Sequence, residues 1–157
     1  MNKIEKCIQE QRGLKDCYGC GPNNQNGLRI KSYWSGKIED PATAEYKAKT
    51  FHQAASSEVV YGGILASLLD CHSVNQAIAH HYHTEGREIG SGPEIVCVTA
   101  QLNIRYLAPA PITKLLKISS RILKHEGRKT TLKAEITENQ LKLCEAEILA
   151  IRVKELP

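Results

Sequence analysis

Aromatic residues are scarce in this chain: one Trp, one Phe and an aromatic share of 5% over 157 residues. Base stacking has little to work with, which argues against a single-strand nucleic-acid binder. The core must instead be aliphatic, drawn from a hydrophobic content of 41%. No apolar run approaches the ~20 residues that span a bilayer. The opening Met1-Asn2-Lys3-Ile4-Glu5-Lys6-Cys7 lacks the apolar centre of a secretory signal. Neither sign of charge dominates. The net charge of +4 is too small to imply DNA binding by itself, although it suits a polyanionic small molecule. A soluble protein with a few spare lysines accounts for that charge equally well. Six cysteines lie scattered at 7, 17, 20, 71, 97 and 144, which is no disulfide framework. These absences lead us to expect a cytoplasmic protein of one domain, residues 1–157, with no membrane or nucleic-acid partner.

What is present is organised by period. Residues 3–12 predict a short helix stopped by Gly13, and Cys17 to Gly27 reads as irregular turns. Together they form an N-terminal segment, 1–27. Leu28 to Lys31 alternates and predicts a strand. Ser35-Gly36 can turn, and Lys37 to Lys49 predicts a returning strand, with Pro41 marking an edge or a bulge. Gly62 to His83 is the one long helix. Four strands follow as a meander, over 95–107, 115–124, 130–137 and 141–153. The fold class this predicts is α+β.

The helix carries the most information. Between Gly62 and His83 there is no Lys, Arg or Glu, and Asp70 is the single fixed charge. A helix without a charged face is covered on nearly all sides. Steps of 100° put Ile64, Leu65, Leu68 and Leu69 on one stripe, suited to a sheet. Asp70 falls opposite, beside Ala66, Ser67, Ser73 and Ala77, on a small-residue face suited to a second subunit. Asp70 then either reaches solvent at the helix surface or is paired and functional; the missing neighbouring charges favour the second reading. Gly62-Gly63 opens the helix where backbone N–H groups have no intrahelical partner and can polarise a carbonyl oxygen. Acyl transfer needs such a cradle and a base or nucleophile. Gly62 and Asp70 supply both, but about 12 Å apart along one axis, so two antiparallel helices of a dimer are required.

Val59-Val60-Tyr61-Gly62-Gly63 followed by an aliphatic helix and Asp70 resembles the Val-Val-His-Gly-Gly segment of hotdog thioesterases of the phenylacetic-acid-degradation (PaaI-like) type. Cys17-Tyr18-Gly19-Cys20-Gly21-Pro22 with Asn26-Gly27-Leu28 is similar to the opening of that family. Leu102 to Pro109 resembles its central strand, and Glu126-Gly127-Arg128 a later hairpin. The resemblance spans about residues 17 to 153. It implies a hotdog fold, a long helix wrapped by a curved antiparallel sheet. It also implies a dimer or dimer of dimers and hydrolysis of acyl-CoA thioesters. The Gly62 N–H would hold the thioester oxygen, and Asp70 of the partner subunit would be general base or nucleophile. Gly63, Tyr61, Gln53 and Ser73 would contact substrate. No metal and no cofactor are expected, coenzyme A being part of the substrate. The chain departs from the family at Tyr61, where the family has His, and in the loop after Gln53, which resembles the family's loop amide.

Other motifs carry weaker signals. Cys17-x-x-Cys20 is half of a zinc site, and no second C-x-x-C exists to complete it. His80-His81-x-His83 reads as a polar helix end. A nucleophilic pair of Cys71 or Ser73 with His72 or His52 is a weaker reading, since neighbours on a helix do not face each other. Arg105, Lys114, Arg128 and Lys129 either bind the phosphates of coenzyme A or are solvated. Two rivals to the enzyme stand: a non-catalytic acyl-CoA or acyl-carrier-binding protein, and a structural or interaction protein.

Overall fold

The computed structural model describes residues 6–154. A single helical turn, α1 (Ile8–Gln11), leads through irregular turns to strand β1 (Ala42–Lys47). After a 3-10 turn at Thr50–His52 comes the long helix α2 (Gly62–Thr84). Strands β2 (Val96–Tyr106), β3 (Leu115–Glu126), β4 (Lys129–Glu138) and β5 (Leu141–Val153) follow. The five strands form one antiparallel sheet in the order β1-β3-β4-β5-β2. A curved antiparallel sheet around one long helix is the hotdog arrangement that the sequence predicts.

The last four strands and the helix match the expected spans to within about two residues, because their periods are clean. The expected four-strand meander is only three strands long, however: β3, β4 and β5 are consecutive neighbours, whereas β2 pairs with β5 at the far edge and not with β3. Both hairpins turn where glycine or asparagine takes a positive φ, Gly127 at 56° and Asn139 at 53°. Helix α2 ends at the left-handed Gly86, whose N–H donates to His83 O at 3.0 Å. The core lies between α2 and the sheet. Leu68, Leu69, Leu116, Ile118, Leu132, Ile136, Leu143 and Ile148 are almost wholly buried there. Each contributes on the order of 1.5–3 kcal/mol by leaving water.

The N-terminal third departs from expectation. The predicted strand at Leu28 to Lys31 does not form, because Arg29 sits at a φ of 56°. Leu28 and Ile30 instead donate their N–H groups to Tyr18 O and Gly19 O at 2.8 and 3.2 Å, tying this stretch to the preceding turns. The returning strand begins only at Ala42, just after Pro41, and is an edge strand as the proline implies. Helix α1 occupies only the end of the predicted 3–12 span; residues 1–5 lie outside the described residues.

Apart from Asp70 the helix carries only polar groups without a fixed charge, and two of these, His72 and Gln76, find neutral partners. His72 is fully buried: its Nε2–H donates to Ala42 O at 3.2 Å, and its Nδ1 lies 2.8 Å from Ser32 Oγ, which can donate to it. Gln76 Oε1 accepts from Ser120 Oγ at 2.6 Å. His80 and His81 are also buried, so the predicted polar helix end is polar in composition but not solvated. His125 stands edge-on to both, with ring centroids 4.5 and 4.7 Å away. Trp34 covers His80 from the other side at 5.9 Å. Among the described residues no helix is long and apolar enough to cross a membrane.

Burial first, then His125 and His83, hold His80 down to about 4. Burial first, then His125, Arg152 and His80, do the same for His81, with Glu85 opposing weakly. The unfolded chain takes up these protons near 6.5, while the folded chain refuses them. Stability is therefore full above pH 6.5, falls as the pH drops toward 4 and then levels off. Urea unfolding midpoints measured from pH 7.5 to 4.5 should show this fall, and a His80→Gln/His81→Gln variant should lessen it, the remainder coming from His72, which burial also holds down to about 4. An unchanged slope in the variant would remove the cluster from the account.

Candidate active site

One side of helix α2 is left half-open. Gly62, Gly63, Ala66, Ser67, Asp70, Cys71 and Val74 are each partly exposed and recur at helical spacing along one stripe. This is the small-residue face, with two changes. Ser73 and Ala77 are wholly buried within the protomer. Three residues on from Asp70 the helix has turned 60° from its line, enough to carry Ser73 inward. Ser73, expected to contact substrate, therefore lies out of reach of the open face, and its hydroxyl has no hydrogen-bond partner among the described residues.

The helix start is held from three sides. Tyr61 N–H donates to His52 O at 2.8 Å, and Val60 N–H to Ala110 O at 2.9 Å. The Tyr106 hydroxyl donates to Gly62 O at 2.8 Å. His52 is itself buried, accepting the Lys49 N–H on Nδ1 at 3.2 Å, and so anchors the loop rather than serving a nucleophile. Among the described residues the N–H groups of Gly62 and Gly63 make no hydrogen bond, so the positive end of the dipole is open. The Tyr61 ring lies over Gly63 so closely that a Cβ there would collide with it. Tyr61 is 58% exposed, a flap over the helix start rather than a core residue. Gln53 forms an isolated bridge with Val60, which brings it to the same loop, although its side chain is exposed.

Asp70 faces a cavity of about 500 Å³ lined also by Thr99, Val98, Cys71, Cys17 and Leu14. The Thr99 hydroxyl donates to Asp70 Oδ1. Burial pushes this carboxyl above the usual carboxylate range, against the lowering pull of that hydroxyl. A carboxylate made more basic and held by one hydrogen bond suits proton abstraction. Thr99 is absent from the sequence reading. It looks like an ordinary β2 residue; alternation puts it on the same face as the buried Cys97, but nothing local pairs it with Asp70, 29 residues away. Tyr106 was missed for the same reason: nothing local ties it to Gly62, 44 residues away.

The basic residues expected to share one phosphate site are spread apart. Arg105 sits across from Glu145 and pairs with it at 3.4 Å, near the start of α2. Lys129 sits across from Ile151. Six positions along β5 separate the two, about 20 Å, and Arg128 lies in the hairpin beside Lys129. Within one protomer Arg105 cannot act with Arg128 and Lys129 on the same group.

A long helix with open N–H groups at its start, a carboxylate two turns on and a curved sheet behind it make up a hotdog fold. The thioesterase superfamily model matches residues 58–145, more than half of the chain, and the chain belongs to that superfamily. It is similar to a thioesterase superfamily protein from Shewanella loihica at 31% identity, covering 79% of this chain and 90% of that one with a TM-score of 0.58. A phenylacetic acid degradation-related putative thioesterase from Ralstonia eutropha matches at 20% identity, 79% and 85% coverage and a TM-score of 0.60. The PaaI protein of E. coli matches at 15% identity, 80% coverage of each chain and a TM-score of 0.63. No curated protein sequence matches the chain.

Replacing Thr99 with Val keeps shape and removes the hydroxyl. The Asp70 carboxyl should then titrate at a higher pH than in the parent, read from its carbon resonance in an NMR titration. No movement would mean that the Thr99 bond does not set the carboxyl's basicity.

Proposed function

We propose that this protein hydrolyses acyl-CoA thioesters as a homodimer or dimer of dimers, with each site built from two chains. The supporting observation is the half-open stripe of α2. It carries the unpartnered Gly62 and Gly63 N–H groups and Asp70 on one face, about 12 Å apart. Two such helices packed antiparallel across a two-fold axis bring Gly62 of one chain to Asp70 of the other. Edge strand β2 offers a second self-complementary surface beside that face.

In this mechanism the thioester oxygen accepts the Gly62 N–H, with the helix dipole behind it. Asp70, as carboxylate, takes a proton from water while the water oxygen bonds to the carbonyl carbon. The tetrahedral oxyanion collapses, the carbon–sulfur bond breaks, and the coenzyme A thiolate leaves. It recovers its proton from the Asp70 carboxylic acid. Attack by the carboxylate itself, followed by hydrolysis of the anhydride, uses the same two groups. Tyr61, Gly63 and Gln53 would border the acyl entrance, and Arg105, next to Tyr106 on β2 and paired with Glu145, would meet coenzyme A phosphates.

Asp70→Asn should fold and assemble as the parent does, yet lose about 100-fold or more of its turnover, the scale of a positioned base. Free-thiol release across a panel of acyl-CoA esters measures this; parental turnover in the variant would end the role of Asp70.

Assembly is tested separately. Sedimentation at micromolar concentration should give a dimer or tetramer, and Ala66→Arg, on the open stripe, should give monomers without turnover. A monomeric parent would end the composite site.

The Tyr61 ring over Gly63 favours one rival, a protein that binds acyl-CoA without cleaving it. It would be stabilised by coenzyme A in a thermal melt while releasing no thiol.

A further inference from the structure

The turn at 17–21 places Cys17 and Cys20 against the middle of α2, where they meet Cys71. The three sulfurs lie within 4.8 Å of one another, and Cys17 Sγ is 3.8 Å from Cys71 Sγ. They come from segments 54 residues apart, so the C-x-x-C that lacked further ligands in the sequence gains its third from the helix. The surroundings are shaped for sulfur. A Cβ on Gly19 would collide with Cys71 Sγ, so only glycine allows this approach. Gly21 N–H donates to Cys17 O at 2.8 Å and closes the turn, leaving no room for a side chain at Gly21. The buried Asn75 donates Nδ2–H to Cys20 Sγ at 3.4 Å and to Cys71 O at 2.7 Å. Its Oδ1 accepts from Arg12 Nη1 at 3.0 Å. Asn75 is thereby locked with a donor on the sulfur and a cation behind it, the outer-sphere support that metal thiolates use.

We infer that Cys17, Cys20 and Cys71 bind one zinc ion as thiolates, with a fourth position open to the cavity that Asp70 lines. A tetrahedral site with zinc–sulfur bonds of about 2.3 Å spaces its sulfurs about 3.8 Å apart, which is the spacing Cys17 and Cys71 already show. Two residues between the first pair of ligands is also zinc-ligand spacing. Binding releases one proton from each of three thiols and water fills the fourth position. The resulting single negative charge faces Arg12 through Asn75, and Arg12 is also paired with Glu94 at 3.5 Å. The ion fastens the 15–21 segment, one wall of the cavity, onto α2. The sequence reading expected no metal because it counted ligands locally and left Cys71 out.

The test uses the full chain, purified reduced and without chelator, and does not depend on turnover. Elemental analysis should find one zinc per chain. Exchange into Co²⁺ should give thiolate-to-cobalt charge-transfer bands and the strong visible bands of a tetrahedral site. Cys17→Ser and Cys71→Ser should lose both signals, while Cys97→Ser, which borders the same cavity outside the cluster, keeps them. Asn75→Ser should weaken zinc binding about 10- to 100-fold, as loss of outer-sphere support does. Circular dichroism confirms that each variant is folded, and Cys17, exposed at the surface, is the substitution least able to disturb the core. Absence of stoichiometric metal in the reduced parent overturns the inference. So does parental loading in Cys17→Ser, or a Cys17–Cys71 disulfide in protein isolated without oxygen, which would make the pair a redox element instead.

Discussion

A 23-residue helix with one fixed charge has no side that prefers water, and the rest of the molecule is arranged around that constraint. The sheet takes the Leu68–Leu69 side. The far half is enclosed by α1, Trp34 and the β3–β4 hairpin. The polar side chains caught beneath, His72, Gln76 and Asn75, are neutral and find partners in Ser32, Ala42, Ser120, Cys20 and Arg12. Being neutral, these three side chains avoid the several kcal/mol that each unpaired buried ion would cost. Among the described residues the stripe from Gly62 to Val74 is only partly covered within the chain, and beyond it the helix is exposed at its last residues, His83 and Thr84. The same lack of charge that demands enclosure elsewhere makes this stripe a surface for a second helix, and Asp70 is the exception that stands on it.

The legible parts of the sequence were those with a repeating signal. The meander strands alternate, the helix loses its charges over an unbroken span, and Gly127 and Asn139 mark their turns. The N-terminal third carries no period, and there the reading failed. Leu28 to Lys31 alternates as a strand would, but its backbone groups bond to the turns of Tyr18 and Gly19, not to a neighbouring strand. Arg29 in a left-handed conformation is not something alternation can reveal. In the candidate site, Gly62 and Asp70 can be proposed together from the sequence because they share one helix. Thr99, Tyr106 and the joining of Cys71 to Cys17 and Cys20 cannot, because each depends on which elements the fold brings together. Ser73 was misplaced by a smaller error: one turn of arithmetic puts it near Asp70, but the margin between the open and buried sides is under a quarter turn.

The residues that match the superfamily begin at 58, and the segment before them builds much of the wall around Asp70. Arg12, Leu14, Lys15, Cys17 and Cys20 close the cavity over the helix. The shared part of the fold supplies the helix start, the carboxylate and the strand that holds it. The part outside the match decides how much room the carboxylate has and what borders it. That division explains why burial, not a neighbouring charge, is the main influence on Asp70: a wall laid over an otherwise half-open stripe removes water without adding a salt bridge. A wall with little regular structure of its own must be fastened, or the cavity would open with each local fluctuation. Arg12 to Asn75, Arg12 and Gly13 to Glu94, Ser32 to His72 and the sulfur cluster are among the fastenings of the segment. Asn75 takes part in two of them, so the shape of the pocket and the geometry of the cysteines answer to the same side chain.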